Sequence, residues 1–295
     1  MNSKRIRNAM TMAIFFLPVV FFLAGCAAKK PLAESPETGL TLSYKLPPET
    51  GLFYRSESDI NQTMEIQGQS IGADIEQILA FDMKPVSVSE GKLTLDITLD
   101  TLGMFVRSPM MNISADVSET LGKRFKMDLS DKGEELDLSG AEPIKYSIAQ
   151  AGSRSIALHF QQFFPDLPDQ RIKIGDTWSE TDTINETSEN EEVVMILKSD
   201  NTFEGIETVD GYECVKIVSQ ISGSRDGTQS AQGITLTSEG DVEGVMTWYF
   251  AYKEGFYVKS TMDSTTPSTV STSGAQTFTF PMNLKINSVV ELSKK

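Results

Sequence analysis

The segment GQSIG, Gly68 to Gly72, is where residue types and spacing match an enzyme motif. In the nucleophile elbow, G-x-S-x-G, a strained turn between a buried strand and a helix exposes the serine, and a histidine follows later in the chain. His159, the sole histidine, lies downstream as that order requires. The flanks do not fit: INQTMEIQ before it and the alternating segment Ile71 to Met83 after it read as strand, glycine turn, strand. Ser70 is therefore expected in a hairpin. One histidine also empties most zinc and acid–base schemes, which draw on several His and Cys ligands. Asp128 to Gly133, DLSDKG, has the glycine of a calcium loop but puts Lys132 at a ligand position and Ser139 where the bidentate glutamate belongs. Glycine-rich phosphate loops with a following lysine are missing from the sequence. The expectation is a protein that is not an enzyme and has no metal or cofactor.

A different chemistry is written at the N-terminus. Residues 13–25 carry no charge, Lys4, Arg5 and Arg7 precede them, and the first carboxylate is Glu34. A helix needs about 20 apolar residues to cross the hydrocarbon core, so this run is too short to span, and its basic flank is that of an export signal. Leu23-Ala24-Gly25-Cys26 resembles the lipobox of bacterial lipoprotein precursors. That resemblance implies a signal peptide over 1–25, acylation at Cys26, and attachment through acyl chains that each gain roughly 0.8 kcal/mol per buried methylene. Position 27 is Ala, not Asp, which favours the outer membrane facing the periplasm over the inner membrane or the cell surface. Residues 26–39 then read as the acylated cysteine and a flexible tether, with Pro31 and Pro36 and no apolar period.

Charge narrows the partners. Of 26 Lys and Arg, 23 remain beyond residue 25, against 41 Asp and Glu, giving a net charge of −18 (23 − 41). Nucleic acid is disfavoured, since phosphate affinity rests on clustered Lys and Arg. Once Cys26 is acylated the sole remaining cysteine is Cys214, so the domain stands on its hydrophobic core without an internal disulfide. Cys214 lies on a strand-like alternation and reads as a buried, inert thiol.

What must position any site is mainly strand. Period-two alternation runs through Leu40 to Leu46, Ile71 to Met83 and Leu93 to Leu99, then Phe125 to Leu129 with Leu136 and Leu138 as a second arm. Asp210-Gly211 and Lys253-Glu254-Gly255 supply hairpin turns. The segment Val242 to Tyr252 is apolar on both faces and reads as a central strand. Asp263 to Thr277 reads as a Ser/Thr-rich loop or weak edge strand, and Met282 to Leu292 as a closing strand. Within 141–170, Ile144 and Ile148, then Ile156, Phe160, Phe163 and Phe164, fall at helical spacings. The expectation is one or two short helices, the second about ten residues long, capped by Ser153 or Ser155 and ended by Pro165 and Pro168. GDTW, Gly175 to Trp178, reads as a turn that delivers Trp178 into the sheet.

The expected fold class is mainly β with minor α: a large antiparallel curved sheet or half-open β-barrel packed on one or two short helices. The β-rich domain covers 40–295, with two sheet halves, 40–140 and 171–295, joined by the helical segment. This arrangement resembles the periplasmic lipid and lipoprotein carriers, whose half-open barrel holds helices over an apolar cavity. The proline-bounded segment followed by IKIGDTW also resembles a pattern in bacterial lipoproteins, and brings no function with it. The carrier resemblance implies a non-catalytic binding protein for a lipid or other apolar ligand. Candidate lining residues are Phe160, Phe163 and Phe164, with the cluster Met104, Phe105, Met110 and Met111, which can equally fill a core beneath a loop. The competing expectation is an interaction lipoprotein without a cavity, which binds an envelope protein at an edge near Ser264 to Thr277.

Overall fold

In the computed structural model the described residues are 34–293, apart from 48–49, 90, 110, 150–151, 189, 232 and 274–276. The N-terminal signal and Cys26 lie outside them. The strands are β1 (Leu52–Ile66), β2 (Gln69–Ser89), β3 (Lys92–Arg107), β4 (Asn112–Ser114), β5 (Arg124–Ser130), β6 (Glu135–Asp137), β7 (Lys145–Ile148) and β8 (Gly152–Ser155). Six long ones follow: β9 (Thr177–Thr187), β10 (Glu191–Val209), β11 (Tyr212–Ala231), β12 (Ile234–Ala251), β13 (Phe256–Ser273) and β14 (Thr279–Ser293).

The fold class read from the alternation is the one observed. A single antiparallel sheet runs β6-β5-β3-β2-β1-β14-β13-β12-β11-β10-β9, with β4 attached to β3. Long strands follow from long alternation: along β3, Leu93, Leu95, Ile97 and Leu99 are buried while their neighbours are half-exposed. Asp210 and Gly211 both have positive φ, 50° and 89°, the type I′ geometry whose twist matches the flanking strands. The two halves of the chain do not meet at a helix. They meet along β1 and β14, paired from Phe53↔Ser293 to Met64↔Met282. The sheet curls far enough for Gln62 and Met64 of β1 to line one cavity with Glu191 of β10, yet its edge strands β6 and β9 are not paired with each other.

The helix expected near 156–164 is corrected to a single 3-10 turn, Ile156–His159, capped by the Ser155 side chain. Upstream, Lys145–Ile148 and Gly152–Ser155 pair as the β7–β8 ribbon instead of forming a helix. Gln162 takes φ 59°, so the helical path does not continue past Phe160, and Phe163 and Phe164 enter the core on irregular backbone. This segment plugs one end of the curl. Phe160 packs on Phe81 and Phe125 with ring centroids 4.9 and 5.0 Å apart, and Phe163 packs on Phe81 and Tyr54 at 5.0 and 5.7 Å.

The strand-like segment Leu40 to Leu46 crosses the same end, hydrogen-bonding to Ile172, Asp131 and Gly255. Lys132 Nζ donates to the carbonyls of Leu42 and Pro168 at 2.9 and 3.1 Å, tying this segment to the plug. The glycine of the calcium-like loop has a structural reason instead: Gly133 sits at φ 110°, and a Cβ there would lie 2.5 Å from the Pro165 carbonyl oxygen.

The Ser/Thr-rich stretch is also corrected. It is neither loop nor edge: most of it belongs to β13, held between β12 and β14. Threonine and valine suit a pleated strand, and the small inward residues Ser264 and Ser268 fit against Gly244 and Gly240 of β12. Pro267 has no N–H to donate, and the β12–β13 ladder skips there, between Gly240↔Ser268 and Glu243↔Thr265.

Candidate functional site

The residues singled out as ligand lining do not come together. Phe160, Phe163 and Phe164 are 0%, 9% and 3% exposed and fill the plugged end, and Met104 is buried in the same core. Phe105 and Met111 are exposed, and Met110 lies outside the described residues. Ser70 sits in β2 opposite Glu65, in a strand–turn–strand hairpin without the elbow's helix. His159 is half-buried against Tyr146, its Nε2 3.1 Å from the Tyr146 hydroxyl, and desolvation pushes its pKa down to about 4. Trp178 is buried at the start of β9, as its turn implies, and burial pushes the Cys214 thiol up to about 12.

The concave face is not filled along its whole length. Toward the hairpin ends at 66–69, 231–234 and 273–279 a second, separate apolar cluster forms from Val270, Phe280 and Met282, joined by Met64, Ile66, Leu236 and Leu284. All seven occupy the inward positions of β1, β12, β13 and β14. Beside them opens a cavity of about 300 Å³, bounded by Gln62, Glu191, Arg225, Gly227 and Ser238 as well as by the cluster. That is the lower end of the size range of small-molecule sites, and the lining is of the usual kind, apolar walls with a few polar groups. The sequence carried a signal that was not followed: counting alternate residues from buried Ile217 along β11 places Arg225 on the inward face.

Two other depressions differ in character. One, about 710 Å³, is a surface groove walled by Asp200, Glu243, Asp263, Lys285 and neighbouring outward-facing polar residues. A smaller one, about 110 Å³, lies between the plug and β9 to β12, with Phe164, Trp248 and Met246 on one side and Asp166, Glu180 and Asp182 on the other. Beneath it Trp248 Nε1 donates to Ser219 Oγ at 3.0 Å, and that hydroxyl donates on to Asn201, so the buried polar groups are satisfied. Among the described residues no group of three or more His, Cys, Asp and Glu could hold a metal ion.

Burial pushes the carboxyls near that mouth upward, Glu135 to about 8 and Asp166 to about 7, with Glu180 and Asp182 also raised. A carboxyl with a raised folded pKa binds its proton more tightly in the fold. Its stabilisation is full below the unfolded pKa and is lost as pH rises through the folded value. The thermal midpoint is therefore expected to fall as pH rises from about 4.5 to about 8. Glu135→Gln, which cannot ionise, should flatten that decline in a melting series, and an unchanged slope would refute the assignment. His159, held neutral, acts oppositely: its contribution is lost as pH falls from about 6.5 through about 4, which offsets part of the carboxyl trend in that range.

No protein-family model matches the chain, and no curated protein matches it. Among solved structures, the crystal structure of Pseudomonas aeruginosa OccK2 (OpdF) is similar at 7% identity and TM-score 0.22, covering 84% of this chain and 100% of that one. The same protein in complex with glucuronate gives 6%, 0.21, 85% and 100%. At TM-scores this low the likeness carries no argument.

Proposed function

We propose that this chain is a lipid-anchored protein of the bacterial envelope that holds a lipid or other apolar ligand in the open end of its half-open sheet, without catalysing a reaction on it. The observation that carries the reading is the cavity beside the second apolar cluster, set apart from the filled core. The inward residues between the two, among them Ile60, Ile75, Met262 and Ile286, are only half-buried, so the concave face offers an apolar floor beyond the cavity. Attachment follows from Cys26 and the signal ahead of it, with the outer membrane facing the periplasm as the site. The rival reading, an interaction protein that accepts a partner strand, loses its proposed edge because β13 is internal. The actual edge strand β9 points Glu180, Asp182 and Glu186 inward, a pattern that opposes strand addition.

Glu34–Lys295 forms one compact unit, so a chain beginning at Ala27 keeps every described strand and the whole core. Purified from the envelope without detergent, that form should carry stoichiometric lipid in native mass spectra and organic extracts. An apo mass, with no uptake of offered lipids, would overturn the ligand. The N-terminal peptide of the full chain taken from membranes should show acyl mass on Cys26.

A further inference from the structure

Among the described residues, the inward face of the sheet carries Lys or Arg at one position. Along the sheet strands Arg55, Lys84, Lys92, Arg107, Arg124, Lys126, Lys198, Lys216, Lys259 and Lys285 alternate to the outer face, while Arg225 points into the curl beside Phe280, Met282 and Leu236. Its guanidinium is held by one hydrogen bond, Nη1 to Ser238 Oγ at 3.1 Å, and is in no ion pair within 4.0 Å among the described residues. Space around it is kept open. A Cβ at Gly227 would come within 2.6 Å of Ser238 Oγ and 3.4 Å of Arg225 Nη1. Two carboxylates face this region: Glu191 is bound to Arg154, and Glu186 feels both arginines but makes no ion pair with either, its own pKa being raised by burial. Arg225 thus keeps most of its five donors for something else.

We infer that Arg225 is the recognition residue for the anionic headgroup of an amphiphile whose apolar chain lies along Met64, Leu236, Val270, Phe280 and Met282. This rests on the ligand-binding reading above and names the ligand's chemistry: one carboxylate or phosphate on a long apolar chain. A guanidinium fork matches either anion with paired hydrogen bonds, and such charge-assisted contacts strengthen where water is thinned out by apolar walls.

The test is displacement of a neutral fluorescent naphthylamine probe from the chain beginning at Ala27 by oleate, oleyl phosphate and oleyl alcohol. The native chain should bind one or both anions at least about tenfold more tightly than the alcohol, and the better anion names the headgroup. Arg225→Gln should bring the ratio to about one and leave the alcohol's affinity unchanged, and Arg225→Lys should keep part of the preference. Equal binding of anion and alcohol by the native chain would overturn the role of Arg225 while leaving the apolar site standing. No binding of any of the three would overturn both readings. Should Arg225→Gln fail to fold, the native ratio and the lysine variant still decide the matter.

Discussion

Phe160→Ala is expected to cost about 3–5 kcal/mol, the range for removing a fully buried phenylalanine, and so to lower the melting temperature by roughly 10 °C or more. Phe160 has no exposure and is clasped by Phe81, Phe125 and Phe163. Those rings belong to β2, β5 and the plug itself, so truncation opens a cavity that none of the three can close without leaving its own strand register. The loss is measurable by urea unfolding at constant m-value. A change below about 1 kcal/mol would mean that the plug is not integral to the core, and the half-open sheet would then have to be empty at both ends. Ligand uptake at the far cavity should survive in the folded fraction, because that cavity is lined by a different cluster.

The second large effect is Gly223→Val. A Cβ at Gly223 would lie 2.0 Å from the carbonyl oxygen of Ile196 and 3.0 Å from its carbonyl carbon, so the added carbon meets backbone, which cannot rotate aside. Gly223 stands between Leu197 of β10 and Val242 of β12, in the middle of the long strands, and accommodation would have to separate β10 from β11. Loss of about 3 kcal/mol or more follows from overpacking against a rigid neighbour. Gly205→Ala is the control: it lies at the β10 bulge with open space around its Cβ position, and should leave stability within about 0.5 kcal/mol. If both substitutions are equally mild, the close approach of β10 and β11 at Gly223 is not a feature of the protein in solution.

Much of the sheet was legible because alternation reports burial directly. Leu93 to Leu99, the Asp210-Gly211 turn and the central position of Val242 to Tyr252 needed nothing but local pattern. The failures share a cause. Ile156, Phe160 and Phe164 have helical spacing, but what fixes their backbone is the space inside a sheet built from residues far away in the chain. Helical period and a buried irregular plug look alike when both are rich in phenylalanine. Ser264 to Ser273 misled in the other direction: its inward positions are small because glycines at 240 and 244 bring β12 close, and a Ser/Thr run shows that only when its neighbour is known. The Met104 to Met111 cluster drew attention by composition, whereas Arg225 stood alone in a polar stretch and acquires meaning only from its parity on β11.

Pairing of β1 with β14 sets the order in which this protein can be finished. A ribosome delivers Leu52–Ile66 early and Thr279–Ser293 last, so the first long strand waits with one flank open through nearly the whole of synthesis. Bringing such distant segments together carries the entropy of a very long loop, and folds dominated by such contacts form slowly. Until the last strand docks, β1 and β13 both present unpaired edges, neither of which has the inward carboxylates that guard β9. A chain cut short at the start of Thr279–Ser293 would therefore be lost to aggregation, and would also lack Phe280 and Met282 beside Arg225.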